Sequence, residues 1–143
     1  MTVSRNYKYA AVVLFCLTAV CSAKADCRRY TFDVDGKDLN IIVGDEVVAK
    51  IKLPEEREVK NFSLNGVKKT RLGFQIKTDW GGSLYHYEVQ FDFRCKANKF
   101  DLYRVKHVSL LTTNPDNGFW DKSKTKISKP NLPIEKFVMT EYL

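Results

Sequence analysis

Between Thr70 and Cys95, apolar and polar side chains alternate almost residue by residue. Leu72, Phe74, Ile76 and Trp80 share one parity, with Arg71, Gln75, Lys77 and Asp79 on the other. After Gly81-Gly82-Ser83 the alternation resumes, with Tyr85, Tyr87, Val89, Phe91, Phe93 and Cys95 set against His86, Glu88, Gln90, Asp92 and Arg94. Successive side chains on a strand point to opposite faces, so each run predicts a strand with one core face and one wet face. Together they predict a long amphipathic hairpin. Lys96-Ala97-Asn98-Lys99 then turns the chain into a further strand over 100–111. That strand is apolar on both parities toward its end, which predicts a bulge or burial on both sides.

Shorter strands precede this hairpin. Tyr30-Thr31-Phe32-Asp33-Val34 reads as a strand ended by Asp35-Gly36, and 40–43 and 46–53 flank Gly44-Asp45 as a second hairpin. Pro54-Glu55-Glu56-Arg57 predicts a solvated loop, and 59–64 a weaker strand ending at a type I′ turn on Asn65-Gly66. Beyond Thr113 the pattern changes. Residues 114–118 are dense with turn formers, and Pro130 and Pro133 bar a long regular element there. Apolar residues at 134, 137, 138 and 142 have roughly helical spacing, compatible with a short terminal helix or a final strand. No internal repeat, low-complexity tract or interdomain linker interrupts the chain. The pattern predicts one mainly-β domain, an antiparallel meander that is curled or sandwich-like, with a short C-terminal helix as an option.

The first 25 residues stand apart. Arg5 and Lys8 precede an apolar run from Ala10 to Val20, too short for the roughly 20 residues that span a bilayer, and Ala23-Lys24-Ala25 follows as a small-x-small cleavage pattern. Residues 1–25 therefore read as a cleaved secretory signal and 26–143 as the domain. Such a protein is expected in the periplasm or outside the cell, with no stable membrane anchor after cleavage. Neither Cys16 nor Cys21 follows the small residue a lipobox needs.

Removing the leader takes three of the 24 basic residues and none of the 17 acids, so the net charge falls from +7 to +4. That is weak and diffuse for a nucleic-acid binder, and no nucleic-acid partner is expected. Export also changes the reading of the cysteines. Cys27 and Cys95 remain as an even pair in an oxidising compartment, which is most simply one disulfide. Closing a loop of about 67 residues is worth roughly 4 kcal/mol in the chain-entropy account.

Candidate chemistry is sparse. His86 shares a strand face with Glu88, within reach of an acid–base pair, and Asp92 lies on the same face as a third metal-type ligand. A wet strand face carries such residues by chance, so neither catalysis nor a metal or other cofactor is expected. Ser83 and Ser109 lack a nucleophile elbow. Asp33-Val34-Asp35-Gly36 lacks the ligand ladder of a calcium loop. Asn61-Phe62-Ser63 fits a glycosylation sequon, which matters only in a eukaryotic source.

The lysine stripe says more. Lys122, Lys124 and Lys126 recur at every second residue, so an extended chain points all three one way. They predict either a basic contact surface or edge protection against sheet-to-sheet aggregation. Phe119-Trp120, just upstream, supplies a candidate aromatic anchor. The expected contact set is Phe119, Trp120, Lys122, Lys124 and Lys126. A second possibility places Trp80, Tyr85 and Tyr87 around an apolar cavity for a lipid or glycan.

The run Tyr85-His86-Tyr87-Glu88-Val89-Gln90-Phe91-Asp92-Phe93-Arg94, followed by Lys99-Phe100-Asp101-Leu102-Tyr103-Arg104-Val105, resembles hairpins of small exported bacterial β-rich proteins of unassigned role. Some of those are immunity proteins for interbacterial toxins. The resemblance implies a non-catalytic periplasmic protein whose partner is an envelope-acting toxin or hydrolase, and it carries over no functional residue.

Overall fold

The computed structural model describes residues 29–112, Asp116 and 122–143. β1 (Tyr30–Asp35), β2 (Asp38–Val43) and β3 (Glu46–Lys52) form a three-stranded antiparallel meander. A second antiparallel sheet follows in chain order: β4 (Ser63–Lys69), β5 (Gly73–Gly81), β6 (Tyr85–Lys96), β7 (Lys99–Leu111) and β8 (Lys122–Ser128). β9 (Leu132–Pro133) pairs with the start of β7, and 3-10 turns at Ile134–Lys136 and Met139–Tyr142 follow. The protein is mainly β, as the alternation predicts, and neither sheet closes into a barrel. The terminal segment is neither an α-helix nor a strand but two 3-10 turns.

Turn chemistry explains where the strands meet. Ala97 and Asn98 both have positive φ, 50° and 59°, between the paired Lys96 and Lys99, the geometry of a two-residue primed turn. Asn65-Gly66 is different from expectation. It lies inside β4, where the register with β5 shifts between Leu64 and Gly66. The same residue types that make a turn also make a bulge, and here the Asn65 amide donates to Asp79 on β5 at 2.8 Å. The weak strand expected over 59–64 is therefore displaced to Ser63–Lys69. Leu72, placed on the core parity, is instead 52% exposed. It sits in the tight β4–β5 connection, where the Thr70 amide donates to the Gly73 carbonyl at 2.8 Å. Gly73 itself is required by crowding, because a Cβ there would overlap the Phe93 carbonyl. β7 has its bulge at Tyr103, between the pairs Asp92–Arg104 and Phe93–Leu102. That is near the start of the strand rather than toward the end, where a bulge or two-sided burial was expected; residues 105–111 pair regularly and 107–111 are half-buried.

The two sheets share one core. The front face of the large sheet carries Phe74, Ile76, Thr78 and Trp80 on β5, opposite Phe93, Phe91, Val89 and Tyr87 on β6. β7 continues these rows with Leu102, Val105, His107 and Ser109, and β8 with Ser128, Lys126 and Lys124 beside the last three. Phe74 and Phe93 stack at 4.6 Å, and Tyr30, Phe32 and Phe100 pack edge-on or tilted around Phe74. The Tyr30 hydroxyl donates to the Gly73 carbonyl, tying the small sheet to the large one. Phe137, between the two 3-10 turns, packs edge-on against both Phe91 and Phe93, and Tyr142 against Phe91. These covers reach only part of the front face, and its other end stays open.

Candidate functional site

The open end of the front face is a groove of about 600 Å³. Trp80, Tyr87, Ser109 and Lys124 form one cross-strand row, and His107 and Lys126 belong to the next. Ser128 extends the lysine side along β8, and Glu141, Tyr142 and Leu143 of the C-terminal turn complete the lining. Strand pairing brings together residues that lie up to 48 positions apart in the chain, Trp80 and Ser128, and the C-terminal turn adds Glu141, Tyr142 and Leu143.

Trp80 and Tyr87 are direct cross-strand partners, and their rings stack at 4.1 Å and 19°. Both are half-buried. The Trp80 indole N–H is buried with no hydrogen-bond acceptor among the described residues, a cost that a purely structural tryptophan usually avoids. Lys124 and Lys126 stay exposed on β8, the edge of the sheet. Between aromatics and lysines lies His107, opposite Val89 on one side and Lys126 on the other. Burial, helped by the Lys126 charge, holds its imidazole below the ordinary value of 6.5. The groove thus offers an aromatic floor, two fixed cations and a third group poised to charge on acidification. Its acidic member is Glu141.

Two separate expectations converge here. Lys124 and Lys126, expected as contacts, share the groove with Trp80 and Tyr87, expected around a cavity. The site is an open, mixed-polarity groove rather than an apolar cavity, because the lysines of β8 form one side. Tyr85 keeps the predicted parity but is 52% exposed and stands outside the lining. Lys122 begins β8 opposite Leu111. Phe119 and Trp120 lie outside the described residues, as do Cys27 and the proposed signal 1–25. His107, Ser109, Ser128, Glu141, Tyr142 and Leu143 are the groove residues that sequence reasoning did not expect as contacts. The signal available was the parity of β7, which puts His107 and Ser109 in line with Val105; Glu141 had none, because a 3-10 turn carries no period.

The opposite, back face is polar. Asp92, only 3% exposed, accepts from Gln75 Nε2 at 2.7 Å, Gln90 Nε2 at 3.1 Å and Arg104 Nε at 2.6 Å. That contact raises the Arg104 guanidinium still further. His86 and Glu88 share this face, and the carboxylate near His86 Nε2 is Asp79, at 3.7 Å. Among the described residues no group of three His, Cys, Asp or Glu side chains is placed to hold a metal ion. The sequon asparagine Asn61 is exposed, with its side-chain amide donating to the Gly81 carbonyl at 2.6 Å. No family model, curated protein or solved structure matches the chain.

Proposed function

We propose that this is an exported, non-catalytic binding protein, an inhibitor or immunity protein that occludes an envelope-acting toxin or hydrolase with the open end of its large sheet. The observation that carries the reading is the convergence of a stacked aromatic pair and two exposed lysines in one groove on a rigid four-strand platform. Aromatic anchors with a charged rim suit a protein interface, and strands hold the backbone beneath them in place before binding. A Cys27–Cys95 disulfide belongs to the same proposal. Tyr30, three residues beyond Cys27, packs at 5.2 Å on Phe100, the register partner of Cys95, so the chain starts its first strand beside that cysteine.

The test is capture of the partner from the native envelope, with Trp80→Ala/Tyr87→Ala and Lys124→Glu/Lys126→Glu variants beside the wild type. A stoichiometric toxin or hydrolase retained by the wild type and lost by a groove variant supports the reading. Capture that neither double variant alters overturns it. The groove volume favours a second reading, a small-ligand or envelope-polymer module, since about 600 Å³ lies within the range of small-molecule sites. A co-purifying lipid or glycan displaced by the Trp80 and Tyr87 substitutions would establish that reading instead.

A further inference from the structure

Lys124, Lys126 and Ser128 line the groove at alternate positions of one strand, a repeat of roughly 6.6 Å. An extended peptide presents its own alternate side chains at the same repeat. Carboxylates at positions i and i+2 of such a segment would therefore meet Lys124 and Lys126 in step. The intervening width of the groove is floored by Ser109, His107 and the Trp80–Tyr87 stack, which suits apolar side chains beside the acids. Resting on the protein-partner reading above, we infer that the groove binds an extended acidic segment of the partner, carboxylates on Lys124, Lys126 and His107, apolar side chains on Trp80 and Tyr87.

The charges around the site set a pH dependence. His107 faces Lys126 and, one row on, Lys124 from β8, Tyr87 from β6, and shares the groove with Glu141 and Tyr142 of the C-terminal turn. In the free protein, burial and Lys126 keep the imidazole neutral below its ordinary 6.5. An arriving carboxylate favours the charged form, so binding takes up a proton, and affinity rises as pH falls through this window. Glu141, the acid of the C-terminal turn, works against the bound carboxylates.

The probe is a blocked pentapeptide alternating glutamate and leucine, titrated into the isotope-labelled full chain and followed by amide chemical shifts. A glutamine–leucine peptide and a hexagalacturonate serve as comparisons. The expected result is a shift pattern confined to the strands around Tyr87, His107, Lys124 and Lys126, with binding about fivefold tighter at pH 5.5 than at pH 7.5. His107→Gln should flatten that pH dependence while leaving binding at pH 7.5 in place. Lys124→Gln/Lys126→Gln, which keeps the strand's shape, should abolish binding at both. No shift at millimolar acidic peptide, equal binding of the glutamine peptide, tighter binding of the galacturonate, or a pH-independent affinity each overturns the inference. Its failure is separable from that of the broader reading. Partner capture lost with Trp80→Ala/Tyr87→Ala but kept with Lys124→Glu/Lys126→Glu rejects the acidic segment and retains the inhibitor.

Discussion

The two ends of the large sheet's front face carry the same strands and the same alternation, yet they behave as different materials. At one end Phe74, Phe91, Phe93 and Ile76 are fully enclosed, capped by the small sheet and by Phe137. At the other, Trp80 and Tyr87 stack in line with them but keep part of their surface in solvent, with Lys124 alongside. The pleat of β5 and β6 runs regularly through both ends. What differs is the cover: the 3-10 turns and β1 reach Phe91 and Phe74 and stop short of Tyr87. A strand's parity says which side chains share a face; only the packing of distant elements says whether that face is a core or a surface.

The largest expected effect breaks the comparison at its closed end. Phe93→Ala removes a fully buried ring that stacks on Phe74 at 4.6 Å and meets Phe137 at 5.2 Å. It should cost about 3–5 kcal/mol in urea denaturation. Trp80→Ala, in the same sheet and on the same face, should cost only about 1 kcal/mol, because the stack with Tyr87 is half-solvated. A comparable loss at both ends would mean that the groove residues are core after all.

A second break lies across the sheet. Asp92 is on the polar parity, yet it is enclosed, and three donors converge on it. Asp92→Ala leaves Gln75 and Arg104 without their acceptor and should cost about 2–3 kcal/mol, read from the urea midpoint at constant slope. Alternation predicts a wet residue here and therefore a near-neutral substitution. The two expectations separate cleanly.

Much of this was legible in the sequence. The β5–β6 and β6–β7 hairpins, the Lys96–Lys99 turn and the core roles of Phe74, Ile76, Phe91 and Phe93 follow from parity and turn residues alone. What escaped did so for identifiable reasons. Asn65-Gly66 reads as a turn because a bulge asks for the same backbone freedom. Leu72 has core parity but belongs to a connection, and parity does not mark where a strand starts. Asp92 looks wet because its enclosure depends on Gln75, Gln90 and Arg104 arriving from three strands. The groove was half visible, its lysines and aromatics each noticed, but their meeting is a product of strand order, which no local pattern encodes.

The smallest expected effect sharpens the open end further and is a slope with pH. An unfolded histidine takes up its proton near 6.5, whereas His107 in the fold resists it, first through burial and then through Lys126. Between those two values the unfolded chain binds more protons than the folded one, so folding stability rises with pH there. The contribution of His107 is thus complete above about 6.5 and lost as pH falls through its folded value. Glu55 does not confuse the reading. The Lys37 hydrogen bond lowers that carboxyl below its ordinary 4.5, so its own loss of stability lies at lower pH. Urea midpoints of wild type and His107→Gln, compared from pH 7.5 down to 5, should therefore converge or cross as the wild type loses stability that the variant does not. Parallel curves would mean that His107 titrates as freely as a solvated histidine. The open end would then carry two cations at every pH, with no third one to gain.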